Sequence, residues 1–270
     1  MDWKDVNRYL KEVDQSRFQI RNNSGPLKTG LDLGTACIVI AVLDESNRPV
    51  ACEMKQAHVL KDGVVVDYIK ALETVRELKA KLEKRLGRKL KNCAIAMPPG
   101  TADSVRTHRY VAEGAGFEVT KILEEPEAAN QVFGITDGAV ADIGGGTTGL
   151  ALFRHGQIIR MEDEPTGGDH LSLVLSGHYH ISFEEAEELK MDERKQEEIL
   201  PVVRPVVEKM ASIIRRCCEG SLTEQLYLCG GTCCLKGMEN IVEKETGMKT
   251  VKPEYPFLVT PAGIAMSCVV

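Results

Sequence analysis

Ala139-Val140-Ala141-Asp142-Ile143-Gly144-Gly145-Gly146-Thr147-Thr148-Gly149-Leu150-Ala151-Leu152-Phe153 is an apolar run that enters an aspartate and three successive glycines and leaves as a second apolar run. This layout predicts a hairpin built to hold an anion. Glycines let backbone N–H groups line a concave turn without Cβ obstruction, and an aspartate at a strand end can hold a metal ion or its water. The hydroxyls of Thr147 and Thr148 add donors. A P-loop would continue through Gly-Lys-Ser/Thr into a helix, and a dinucleotide fingerprint also opens a helix. Here the residues after the turn alternate like a strand, which disfavours both. Taken alone, the stretch reads better as an ordinary glycine-rich turn.

A second copy changes that balance. Lys28-Thr29-Gly30-Leu31-Asp32-Leu33-Gly34-Thr35-Ala36-Cys37, followed by the apolar run to Asp44, has the same order of strand, Asp-x-Gly-Thr turn and strand. The two aspartates stand 110 positions apart (142 minus 32). A repeated unit of this kind predicts two lobes of similar fold, whose aspartate hairpins could face one another across a cleft and grip one phosphate chain.

The 270 residues suffice for one large or two modest domains, and 43% hydrophobic with 27% charged residues is a globular composition. No run reaches the roughly 18 apolar residues of a membrane span, and Met1-Asp2-Trp3-Lys4-Asp5 lacks the layout of a signal peptide, so a cytoplasmic protein is expected. A net charge of −6 with no basic stripe argues against a nucleic-acid partner. Nine cysteines, an odd number set mostly in apolar runs, read as reduced core thiols. Cys229, Cys233 and Cys234 match no common zinc spacing and read as packing residues. His178 and His180 could share one strand face but lack a third ligand, so they and His170 read as exposed or packing side chains.

Along the chain, Trp3, Val6, Leu10 and Val13 recur at helical spacing and precede the polar Asn22-Asn23-Ser24-Gly25-Pro26, predicting an amphipathic helix and linker over 1–27. Trp3 is expected to pack on the body of the protein. Leu60-Lys61-Asp62-Gly63 reads as a turn before a strand at 64–66. A helix is expected over 70–90, closing at Gly87, then a strand at 92–97, a helix over about 102–115 and a strand at 119–123. Glu124-Glu125-Pro126 then opens a helix, with Glu125 at its N-cap and Pro126 in its first turn. Thr166-Gly167-Gly168-Asp169-His170 opens a helix at 171–176, and further helices are expected at 183–191 and 199–218. On the first of those two, Glu187 and Lys190 share a face as an ion pair. A strand at 226–229 runs into Gly230-Gly231-Thr232, where a planar base could approach the backbone. A last strand and helix are expected within 258–266.

Asp32-x-Gly34-Thr35, Glu125-Pro126-x-Ala128-Ala129, Asp142-x-Gly144-Gly145-Gly146-Thr147, Gly230-Gly231-Thr232 and Pro261-Ala262-Gly263 occur in one order at regular intervals. This resembles the five-motif signature of the actin and Hsp70 ATPase superfamily. The resemblance implies an α/β protein with the two-lobed actin-like fold, duplicated ribonuclease-H-like lobes and, given the short span between Gly146 and Cys229, reduced outer subdomains. It implies a first lobe over 28–138 with 260–270 returning to it, and a second lobe over 139–259.

By the same resemblance the cofactors are ATP or ADP with Mg²⁺. Asp32 and Asp142 would hold the ion through water, and Glu125 would orient the attacking water. Gly34, Thr35, Gly144, Gly145, Gly146 and Thr147 would cradle phosphates, joined by Gly167 and Gly168. Glu187 and Lys190 look like a ribose-contacting pair, Gly230 and Gly231 would lie beside the adenosine, and Gly263 would complete the nucleotide-binding set while letting its helix pack closely against another backbone. The lysine that Hsp70 supplies from its first lobe has no clear counterpart, so ATP binding with slow hydrolysis is expected. No peptide-binding domain follows the ATPase motifs, so peptide capture of the Hsp70 kind is not expected.

Within the superfamily the chain resembles most the chaperone-like branch of bacterial ethanolamine utilisation, encoded with microcompartment proteins. That implies a protein partner, either ethanolamine ammonia-lyase or the microcompartment shell, with residues 1–27 as a docking element. The alternative is an actin-like scaffold of cell division or pilus assembly. A sugar or acetate kinase of the same fold lacks a visible second substrate block.

Overall fold

The computed structural model describes residues 2–61, 64–100, 105–221 and 223–270. The chain folds as two units, Met1–Gly134 with Pro253–Val270, and Ile135–Lys252.

The first unit opens with α1 (Trp3–Gln15), whose Val6, Leu10 and Val13 are buried at helical spacing. Strands β1 (Leu27–Leu33), β2 (Cys37–Asp44) and β3 (Pro49–Gln56) form an antiparallel meander. A small two-stranded sheet follows, β4 (Leu60–Lys61) with β5 (Val64–Val65), and the turn expected between them lies at 62–63, outside the described residues. Helix α2 (Tyr68–Leu86) starts where Asp67 accepts the Lys70 N–H at 3.0 Å and stops at Gly87 in the left-handed conformation. Then come β6 (Asn92–Met97), α3 (Val105–Gly114), β7 (Glu118–Glu124) and α4 (Glu125–Phe133). The start expected for α3 near 102 falls at 101–104, outside the described residues. The sheet order is β3-β2-β1-β6-β7.

The second unit repeats this plan. Strands β8 (Gly138–Ile143), β9 (Thr148–Arg154) and β10 (Gln157–Glu164) form the meander. Three helices follow, α5 (Gly168–Tyr179), α6 (Phe183–Met191) and α7 (Gln196–Cys217), then β11 (Gln225–Cys229), α8 (Met238–Thr246) and β12 (Lys249–Val251). The order β10-β9-β8-β11-β12 matches that of the first sheet position by position. The registers match too, since Gly30 pairs with Ala41 and Asp32 with Val39, while Val140 pairs with Ala151 and Asp142 with Gly149. Each of these partners stands 110 positions from its twin. The chain returns to the first unit through a 3₁₀ turn at Pro256–Leu258 and ends in α9 (Val259–Met266).

Each unit has its own core. Ile38, Ile40, Val75, Leu78 and Leu82 fill the first, and Ile143, Leu150, Leu152, Leu171 and Val207 the second. Full burial of such side chains contributes roughly 1.5–3 kcal/mol each.

Several local expectations change. Strand β10 was not expected, because its first four residues are all exposed and show no alternation. The stretch 258–266 is a 3₁₀ turn running into one helix, not a strand and a helix; burial on all sides erases its helical period. His178 and His180 lie on no strand: His178 is in the last turn of α5 and His180 is its left-handed cap. Glu124, not Glu125, occupies the N-cap of α4, so Glu125 is its first helical residue.

Candidate nucleotide site

In the second unit, β8 and β11 run parallel, and Asp142 pairs with Cys229 in register. The hairpin turn after Asp142 and the glycine turn after Cys229 therefore leave the sheet at the same carboxyl edge, where open α/β sheets take ligands. Asp142 is buried. The hairpin is closed by the Gly144 N–H donating to the Thr147 carbonyl at 3.0 Å, and its twin by the Gly34 N–H donating to the Cys37 carbonyl at 3.1 Å.

Two further turns then bond to this hairpin. At the start of α5 the Gly168 N–H donates to the Gly144 carbonyl at 2.9 Å, and the Asp169 N–H to the Gly145 carbonyl at 2.8 Å. From the third turn the Thr232 hydroxyl donates to the Gly144 carbonyl at 2.7 Å. Thr148 donates to the Thr166 carbonyl at 2.6 Å. The approach is close enough to require glycine, since a Cβ on Gly167 would stand 2.4 Å from the Gly145 carbonyl oxygen. Gly144 to Thr147, Gly167, Gly168, Gly230 and Gly231 are thus brought into one cluster beside Asp142. His170 belongs to its framework, with Nδ1 accepting the Gly167 N–H at 3.4 Å.

Glu187 and Lys190 join the same cluster from α6. Lys190 Nζ donates to Glu187 Oε1 at 2.5 Å, to Ser172 Oγ at 2.8 Å and to the Gly168 carbonyl at 3.0 Å. The Ser172 hydroxyl also donates to Glu187. With side chains only 9% and 15% exposed, the pair is a buried, multiply bonded ion pair rather than a surface one. Ser172 was not singled out in the sequence. The signal available was its place one helical turn after Gly168, on the same face.

The thiols beside this cluster serve packing. Cys233 Sγ donates to the Cys229 carbonyl at 3.0 Å, and Cys229 Sγ to the Ala141 carbonyl at 3.6 Å. Burial raises the Cys233 thiol well above its ordinary range. Cys234 is exposed.

In the first unit, β1, β6 and β7 are parallel, so Asp32 near the end of β1 and Glu125 just past the end of β7 lie at one carboxyl edge, separated by β6. Asp32, Gly34, Thr35 and Glu125 are all partly exposed there. Gly263 sits inside the helix pair α4–α9: a Cβ on it would stand 1.8 Å from the Ala128 carbonyl oxygen. Its observed contact is with backbone.

Two sheets of identical strand order, each with an Asp-x-Gly hairpin on its central strand, define a protein of the actin-like ATPase fold. The comparisons agree. The sequence profile described as type IV pilus assembly protein PilM matches residues 105–257. The chain is 40% identical over 243 residues to the ethanolamine utilization protein EutJ of Escherichia coli K12, covering 90% of this chain and 86% of that one. The crystal structure of EutJ from Carboxydothermus hydrogenoformans aligns with a TM-score of 0.93 at 44% identity, over 98% of this chain and 99% of that one. MreB5 of Spiroplasma citri bound to AMPPNP aligns at 0.72 with 19% identity, over 89% and 95% of the two chains, a likeness of fold. The chain belongs to the EutJ family of ethanolamine utilization proteins. Among the described residues no helix is long and apolar enough to cross a membrane.

Proposed function

We propose that this protein binds ATP with Mg²⁺ and acts as a chaperone-like accessory protein of ethanolamine utilisation, hydrolysing the nucleotide slowly. The observation that supports it is the cluster of three glycine turns, two of them bonded to the hairpin turn, around a buried aspartate at the carboxyl edge of β8 and β11. A cradle so poor in side chains fits a phosphate chain and a planar base. Asp32 and Asp142 offer carboxylate oxygens, which suit a hard cation. Mg²⁺ is such a cation and keeps several of its waters. Asp32 and Asp142 would hold the hydrated ion, which neutralises phosphate charge when bound. Gly34, Thr35 and the turn 144–147 would receive the phosphates, with the Thr147 and Thr35 hydroxyls as donors. Lys190 and Glu187 would face the ribose, and Gly230–Gly231 the adenine. Glu125 would accept a hydrogen bond from the attacking water and orient it.

Titration calorimetry tests the site. The wild-type chain should bind ATP in the presence of Mg²⁺, and Asp142→Ala should abolish that binding; equal affinity in the variant sinks the assignment. Family membership supports a protein partner. Purified ethanolamine ammonia-lyase inactivated in turnover should recover activity faster with this protein and Mg-ATP. No recovery, together with capture of shell proteins from a reconstituted microcompartment, would move the partner to the shell.

The PilM profile match favours a second reading, an actin-like scaffold. It requires nucleotide-dependent filaments, visible by electron microscopy and pelleting at high protein concentration. Their absence with Mg-ATP removes it.

A further inference from the structure

The chain passes from the first unit to the second between Gly134 and Ile135, and returns between Lys252 and Pro253. On the first-unit side, α1 touches both crossings. The Trp3 ring stacks on Phe133, the last residue of α4, with centroids 6.0 Å apart and planes 24° from parallel. One helical turn further along the same face, Asn7 Oδ1 accepts the Glu254 N–H at 2.9 Å. Helix α1 also packs on the 3₁₀ turn at Pro256–Leu258 that leads into α9.

The elements held in this way form one body. Helices α4 and α9 are locked at Gly263 and Ala128, where backbone meets backbone. Helix α4 begins with Glu125, and α9 lies along β1, the strand of Asp32. Helix α1 is itself anchored, through buried Val6, Leu10 and Val13. Just past its end, the Ser16 carbonyl accepts the Cys52 N–H at 3.3 Å and Arg85 Nη2 at 3.1 Å.

We propose that α1 is a clamp on the two chain crossings, with Trp3 and Asn7 as positioning residues that hold the α4–α9 pair. Movement of that pair must strain or release the Trp3 stack and the Asn7 bond. A partner that lifts α1 would loosen both crossings together. The coupling to nucleotide rests on the function proposed above, whereas the clamp itself does not.

The test is hydrogen–deuterium exchange on the full chain without nucleotide. Trp3→Ala should speed exchange at 130–137 about ten-fold by freeing that crossing, Trp3→Phe should restore most of the protection, and Asn7→Ala should speed exchange at 253–257 alone. Unchanged exchange at 130–137 in a cooperatively folding Trp3→Ala protein overturns the clamp. Should that variant fail to fold, unchanged exchange at 253–257 in Asn7→Ala overturns it instead. Trp3 is the sole tryptophan, so its emission reports the coupling directly. Mg-ATP should change that emission in the wild type and leave it unchanged in Asp142→Ala. Constant emission while calorimetry records Mg-ATP binding overturns the coupling. Absence of binding by calorimetry overturns the nucleotide reading and leaves the exchange arm to decide the clamp.

Discussion

A Cβ on Gly230 would stand 2.4 Å from Oδ1 of Asp142, and equally close to the Ile143 carbonyl oxygen. Gly230 also holds φ at 93°, a region that side chains rarely adopt. The third glycine turn and the aspartate of the second hairpin are therefore in van der Waals contact and cannot be changed independently. Gly230→Ala should destabilise the second unit by about 1–3 kcal/mol. In the fraction that folds it should push the Asp142 carboxylate out of place and weaken Mg-ATP binding at least as much as a change at the adenine face alone would. Chemical denaturation and calorimetry on one preparation measure both, and a variant stable as wild type would refute the contact.

Lys190 and Glu187 are expected to behave as a buried pair. Lys190→Met leaves the Glu187 carboxylate among Ser172 and the start of α5 without its cation, and should cost about 3–5 kcal/mol. Glu187→Gln added to it should recover part of that loss. A double-mutant cycle by urea unfolding checks this, and a cost under about 1 kcal/mol would return the pair to the class of surface ion pairs.

Glu83 supplies a pH dependence. Burial alone would raise its pKa, but hydrogen bonds from Lys79 and Lys89 and the Leu90 N–H outweigh it and hold the carboxyl at about 2, down from the ordinary 4.5. The folded state thus binds this proton more weakly than the unfolded chain. Its contribution is complete above pH 4.5 and is lost as pH falls toward 2. Glu83→Gln should be less stable at neutral pH and should lose less stability over that window than the wild type. Parallel pH profiles for the two proteins, read from urea midpoints, would contradict it.

Thiol chemistry should single out Cys234. Burial pushes Cys37, Cys52 and Cys217 up to about 12 and Cys218 to about 11, so all four hold their protons at pH 8. Cys234 is exposed at the end of the 3₁₀ turn that begins at Gly231. Iodoacetamide in native buffer should label it first. Under the proposed function Mg-ATP should slow that labelling, which peptide mass spectrometry follows; equal rates with and without nucleotide would place the adenine elsewhere.

The sequence carried the repeated hairpin. Strand and hairpin patterns are local, and Asp32 and Asp142 with their glycines spell the same turn twice. Helices α2 and α6 were equally legible, since each has one buried stripe and a cap. Less local features were not. Strand β10 is an exposed edge with no alternation, and α9 is buried on every side, so neither shows the period that marks its class. Which loops touch depends on strand order, a long-range property. The pairing of β11 with β8 brings Gly230 onto Asp142, and the seating of α5 against the hairpin turns Gly167 and Gly168 into its support. The sequence determined what each turn could hold, through the residue types that permit it. Tertiary structure alone decided that three turns, a buried ion pair and an aspartate share one site, because only packing brings chemistry from distant segments within hydrogen-bond reach.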